Sequence, residues 1–117
     1  VALQPAGGDE HAVCRSNFQH LYWNMTQQLA HQTVNGCNLQ PGDLYASGTI
    51  SGPEPANYGS LLERTKNGAT PLQLPDGAER RFLEDGDRVI LRGWCERNGV
   101  RIGFGEAAGV ILPARAE

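Results

Sequence analysis

Leu39-Gln40-Pro41-Gly42-Asp43-Leu44-Tyr45-Ala46-Ser47-Gly48-Thr49-Ile50-Ser51-Gly52-Pro53-Glu54-Pro55 is the stretch that decides how this chain is read. Pro41-Gly42-Asp43 signals a turn, because proline presets φ at one corner position and glycine accepts a positive φ at the next. Residues 44–49 follow as a short extended segment, and Pro53 and Pro55 stiffen its exit. Gly48 has no Cβ, so the main chain can approach a ligand closely there. Thr49 then offers a hydroxyl and a backbone N–H, donors suited to holding a carboxylate. The same pattern reads equally as an ordinary β-corner carrying a threonine.

Outward from this corner the character of the chain changes only once. Upstream, Ser16 and Gln19 have capping-box spacing. Phe18, Leu21, Tyr22, Met25 and Leu29 recur on one helical stripe, and Asn35-Gly36 supplies a left-handed stop. One packed amphipathic helix beginning at Ser16 is expected. Strands are expected before it, at residues 1–4 and 12–15, with a loop at residues 6–9. Downstream all is β in character. Asn67-Gly68 and Pro75-Asp76-Gly77 are turn signals, and residues 88–95 and 100–104 flank Asn98-Gly99, a pair suited to a type I′ hairpin. In the first of these strands Val89, Leu91, Gly93 and Cys95 share one face, and Ile90, Arg92 and Trp94 the other. With 15 glycines and 7 prolines among 117 residues, tight corners between short strands are expected. The fold class is α+β, mainly β, in one unit.

The formal charge is −3, from 10 basic and 13 acidic residues, and no Lys/Arg run provides a nucleic-acid or anionic-membrane surface. Apolar runs such as Val89-Ile90-Leu91 fall far short of the ~18–20 residues that span a bilayer. No leader pattern is written at the start. Cys14, Cys37 and Cys95 form neither a Cys-x-x-Cys pair nor an even framework, so reduced thiols in a cytoplasmic protein are expected.

Several motifs that resemble chemistry have simpler explanations. His20 and His31 are eleven residues apart, about 16 Å along a helix, too far to share one ion. His11 stands alone in a loop. Gly103-Phe104-Gly105 with Gly109 continues a hairpin strand instead of opening a βαβ unit, so close backbone approach explains it better than a dinucleotide. Ser47, Ser51 and Ser60 lack a Gly-x-Ser-x-Gly frame. Asp85-Gly86-Asp87 lacks the remaining ligands of a calcium loop and fits a tight turn. Glu63, taken alone, reads as a solvated strand glutamate.

The run Pro41-Gly42-Asp43-Leu44 … Ala46-Ser47-Gly48-Thr49-Ile50-Ser51-Gly52-Pro53-Glu54 closely resembles the fumarylacetoacetase family. Tyr22-Trp23 … Gln27-Gln28-Leu29 … Val34-Asn35-Gly36-Cys37-Asn38-Leu39 resembles that family's helix and its exit. Phe82-Leu83 … Asp85-Gly86-Asp87 and Arg101-Ile102-Gly103-Phe104-Gly105 resemble its closing strands. The likeness spans about Val13 to Pro113 and departs from the family at Gln40 and at Arg64-Thr65-Lys66.

The resemblance implies the mixed β-sandwich roll of that family's catalytic domain, with residues 1–117 as its C-terminal portion. It implies hydrolysis of a carbon–carbon bond in a 1,3-diketo acid, 4-fumarylacetoacetate to fumarate and acetoacetate, in tyrosine and phenylalanine catabolism. It implies a homodimer, a small-molecule substrate, and magnesium or calcium held by residues N-terminal to those present. Thr49 matches the substrate-binding threonine. Glu63 matches the catalytic carboxylate that orients a histidine and stabilises its protonated form. None of His11, His20 and His31 matches that histidine, and no metal ligand is assigned in this chain. The chain alone is therefore expected to be inactive and to expose apolar surface where missing strands belong. A related oxo-acid hydrolase, such as an acylpyruvate hydrolase, and a non-catalytic ligand-binding or assembly remnant are the other readings.

Overall fold

The computed structural model describes residues 1–115. Six strands appear in chain order: β1 Ala2–Gln4, β2 His11–Ala12, β3 Leu72–Gln73, β4 Glu79–Arg80, β5 Arg88–Arg97 and β6 Val100–Val110. Two α-helices, α1 Met25–Thr33 and α2 Leu61–Arg64, lie between β2 and β3. One antiparallel sheet has the order β2-β1-β5-β6, and β3 and β4 form a second small one. The architecture is α+β and mainly β.

The long hairpin is built as its sequence demands. Arg97 faces Val100 across the turn, and Asn98 and Gly99 take φ of 52° and 77°, the positive values that a type I′ connection needs. Pairing slips between Arg92 and Trp94, where β6 carries the extra residue. Gly105 stands at this bulge with φ 79°, a conformation costly to any residue with a Cβ. The glycine set of residues 103–105 thus serves a β-bulge.

Against β5 lies β1, with Leu3 opposite Val89 and Ala2 opposite Ile90. Ile90 is 0% exposed and Leu3 1%. With Ala2, Cys14 and Leu74 they make up the buried apolar core of the described residues. That core is small, and much apolar surface remains uncovered. The accessible surface is 9061 Å², against about 6,200 Å² for a compact chain of this mass. The Cα radius of gyration is 17.0 Å, where about 13 Å is usual. Phe104, Ile102, Val110 and Leu112 are all exposed.

The helix starts later than its pattern suggested. Asn24, not Ser16, is the N-cap, and Asn24 and Gln27 exchange the reciprocal bonds of a capping box at 2.9 Å each. Phe18–His20 forms a separate 3₁₀ turn capped by Asn17. The earlier serine does not start the helix because the chain leaves the 3₁₀ turn at Leu21 extended, with ψ 133°, instead of helical. The stop at Gly36, φ 87°, is where it was expected. No residue of α1 is buried. Met25 and Leu29, with Phe18, instead face a hollow of about 610 Å³ along residues 45–48. The second strand is also shorter than residues 12–15, covering only His11–Ala12. Beyond it Val13 and Cys14 continue to bond Val1. His11 is therefore on a strand, paired with Asp76 at 2.9 Å, and not alone in a loop.

A buried ion pair ties the two sheets together. Asp87, 0% exposed, takes two bonds from the Arg80 guanidinium at 2.9 Å each. It also accepts the Glu84 N–H at 2.9 Å. Its backbone closes the turn on Glu84 and receives Ile111 from the end of β6. The acidic pair of residues 85 and 87 thus makes a turn, as its sequence suggested. Burial pushes the Asp87 carboxyl up, and the Arg80 and Glu84 donors more than offset it, leaving it below the usual range. A depressed carboxyl contributes stability above its unfolded value of about 3.9, lost as pH falls through the folded one. Asp87→Ala should destabilise the fold by about 3 kcal/mol in urea unfolding at neutral pH, because Arg80 loses its buried partner and keeps only the exposed Glu84, and the Glu84 N–H loses its acceptor. The difference from the native chain should shrink as pH is taken below about 4.

Candidate functional site

The Gln40-Pro41-Gly42-Asp43 turn forms as written. Asp43 N–H reaches Gln40 O at 3.1 Å, the Gln40 N–H donates back to Asp43 Oδ2 at 2.9 Å, and Gly42 takes φ 97°. The chain then runs without strand partners to Gly48, whose φ of 77° re-aims it into Thr49. Thr49 is exposed on an open cleft of about 430 Å³ that Gly59, Cys14 and Arg92 also border. Arg92 is already engaged, by Glu10 and by Glu106.

Residues 49–51 fold back over residues 59–63, and Gly59 makes this possible. A Cβ at Gly59 would lie 2.6 Å from Thr49 Cγ2 and 2.7 Å from Ile50 O. The loop between is clamped to the sheet's margin. Gly52 N–H bonds Asn57 O at 3.1 Å, and Arg15 N–H bonds Ala56 O at 3.0 Å. Asn57 Nδ2 donates back to Arg15 O at 2.8 Å. His20 packs against Gly52, where a Cβ would be 2.8 Å from its Nε2.

Glu63 is not on a strand. It is the third residue of α2, whose N-cap Ser60 accepts the Glu63 N–H at 3.3 Å. Leu61, Leu62 and Arg64 are ordinary helix formers, and Thr65 ends the turn. Thr65, 0% exposed, donates its hydroxyl to Leu61 O at 2.8 Å and accepts Gly68 N–H at 2.9 Å. Lys66, Asn67 and Gly68 then turn the chain with φ of 51°, 57° and 79°.

The Glu63 carboxylate is half-buried, and its Oε2 receives two hydroxyls. Ser51 and Ser60 each donate at 2.8 Å. These two bonds, helped by the backbone N–H groups of Ser60 and Gly59, outweigh desolvation and hold the carboxyl below its ordinary value. Glu63 is therefore an ionised acceptor at neutral pH. Thr49 and Glu63 are brought into one neighbourhood, joined through Gly59 and Ser51, although Glu63 does not border the Thr49 cleft.

Ser51 and Ser60, set aside as nucleophiles, are the residues that the sequence reading missed. The Ser60-x-x-Glu63 spacing is a capping-box signal and could have placed both on a helix start. Nothing in the sequence pairs Ser51 with Glu63. The three histidines stay apart from this carboxylate: His11 lies against Asp76, His20 sits on Gly52, and His31 lies in the last turn of α1. Among the described residues no group of three or more His, Cys, Asp or Glu side chains converges to hold a metal ion. Their cysteines are free, Cys14 buried and the other two exposed. No helix among them is long and apolar enough to cross a membrane.

A carboxylate held ionised by two hydroxyl donors thus lies beside a glycine–threonine step. Residues 7–111 match the family described as fumarylacetoacetate (FAA) hydrolase, C-terminal, and the chain belongs to that family. It is 60% identical to the fumarylacetoacetase of Homo sapiens over 102 residues, which cover 87% of this chain and 24% of the human one. Identity is 59% over 116 residues to the Caenorhabditis elegans fumarylacetoacetase, 97% of this chain and 27% of that protein. It is 57% over 115 residues to the Arabidopsis thaliana fumarylacetoacetase, with 97% and 27% covered. The chain thus spans about a quarter of the length of the curated relatives it matches.

Gly59→Ala should force residues 49–50 away from α2, since the new methyl meets backbone as well as Thr49. A loss of about 1–3 kcal/mol in thermal or urea unfolding is expected. An unchanged melting temperature would contradict the packing described.

Proposed function

We propose that this chain is the C-terminal portion of the catalytic domain of a fumarylacetoacetase. The protein would hydrolyse the carbon–carbon bond of a 1,3-diketo acid, 4-fumarylacetoacetate, in tyrosine and phenylalanine breakdown. Water adds across the broken bond, its hydroxyl ending in the fumarate carboxylate and its proton on the new acetoacetate methyl carbon. The observation that carries this reading is the Glu63 carboxylate, held ionised by Ser51 and Ser60 beside Thr49.

In this reading Glu63 accepts the N–H of an imidazole supplied from elsewhere in the protein. It fixes the tautomer, so the opposite nitrogen is free to take a proton from water, and it stabilises the cation formed. Thr49 presents its hydroxyl and N–H to a substrate carboxylate, on a backbone that Gly48 keeps low and open. The divalent ion of this chemistry, magnesium or calcium, is held by residues outside this chain. The full-length protein is a cytoplasmic homodimer, and the apolar strands left bare here are covered within that larger assembly.

In the full-length protein, Glu63→Gln should lower kcat by about 100-fold or more, the scale of a positioned acid–base group. Thr49→Val should raise KM roughly tenfold, from one lost bond to a charged group. Steady-state kinetics on fumarylacetoacetate checks both. Wild-type kinetics in Glu63→Gln would refute the assignment, and faster turnover of an acylpyruvate would move the protein to a neighbouring oxo-acid hydrolase.

A further inference from the structure

Two serine hydroxyls on one carboxylate oxygen is more than a helix cap requires. Ser60 alone caps α2, since its Oγ accepts the Glu63 N–H. Ser51 comes from a different segment, nine residues before Ser60, and has no part in that cap.

Both hydroxyls are arranged in the same way. A serine hydroxyl has one proton to give and lone pairs that accept. The Gly59 N–H donates to Ser51 Oγ at 3.0 Å, which leaves the Ser51 proton to point at Glu63 Oε2, 2.8 Å away. The Glu63 N–H donates to Ser60 Oγ at 3.3 Å, and the Ser60 proton likewise points at Oε2, at 2.8 Å. Each hydroxyl is thus a relay from a backbone donor to the carboxylate, and such chains strengthen each member. Both end on Oε2, and among the described residues no side-chain donor reaches Oε1.

We propose that Ser51 and Ser60 are the positioning residues of Glu63: their backbone-directed hydroxyls fix the carboxylate through Oε2 and leave Oε1 as the oxygen presented to the imidazole. This rests on the function proposed above for Glu63. The hydroxyls draw charge from the carboxylate and so keep the carboxylate–imidazole pair from binding a proton early. Loss of either should let the pair protonate at higher pH. No charged side chain contributes to the depression of the Glu63 carboxyl. Nearby, the Arg64 guanidinium is on Pro55 O at 2.7 Å and the His20 ring lies against Gly52.

The test is made in the full-length enzyme with Ser51→Ala, Ser60→Ala, Ser60→Thr and Glu63→Gln. Each alanine variant should lose roughly tenfold in kcat, the scale of one bond to a charged group, at nearly constant KM. The acid limb of its kcat/KM profile should move to higher pH. Threonine keeps a capping hydroxyl, so Ser60→Thr should restore both rate and limb. Unmoved limbs and rates in folded alanine variants, while Glu63→Gln is inactive, would overturn the positioning role and leave the role of Glu63 standing. Full activity in Glu63→Gln would instead remove the underlying reading. Should Ser51→Ala fail to fold, the Ser60 alanine–threonine pair decides. Should neither alanine variant fold, a crystal structure of the native enzyme decides. Both serine hydroxyls on Glu63 Oε2 with an imidazole on Oε1 support the proposal, and an imidazole on Oε2 or serines turned away overturn it.

Discussion

The Ser51 hydroxyl is the joint on which the site depends. It takes the Gly59 N–H on one side and gives its proton to Glu63 on the other. It thereby fastens the corner carrying Thr49 to the short helix carrying Glu63. Neither piece could hold its place alone. Residues 44–49 have no strand partner, and a four-residue helix is far below the length at which a helix is stable by itself. What stabilises both is contact with the other, through the one position where the absence of a side chain lets the backbones touch.

The sheet supplies a frame for this joint, and little more. Leu3 and Ile90 seal the centre where β1 meets β5, and the Arg80–Asp87 pair fastens the small hairpin to the large one. Around this centre the chain is open. The long β6 leaves its outer edge and most of its side chains to solvent, and α1 buries nothing. Such an amount of bare apolar surface is unusual for a finished globular unit. The relatives it matches are about four times as long.

Legibility followed the range of the interactions. The β5–β6 hairpin was readable because Asn98-Gly99 fixes its turn locally, and the Pro41-Gly42 corner for the same reason. The helix was readable as a helix, yet its start was misplaced. Ser16 and Asn24 both have a glutamine three residues on, and only the fold decides which cap is used. Ser16 Oγ is left buried without a partner. Glu63 was placed through a family likeness, while its own pattern suggested a strand. The Ser60-x-x-Glu63 signal for a helix start was present and unused. The Ser51–Glu63 bond, across twelve residues, has no local signature, because it exists only after the chain has folded back over Gly59. Thr49 was legible as a hydroxyl beside a glycine, and its contact with Gly59 was not.

The most direct test of the account is a crystal structure of the full-length protein with an unreactive diketo-acid analogue bound. Glu63 Oε2 should lie within about 2.6–3.2 Å of both Ser51 and Ser60, with an imidazole nitrogen at the same range from Oε1 and the analogue's carboxylate on Thr49. A Glu63 side chain turned away from the two serines, or one with no imidazole within reach, would contradict it.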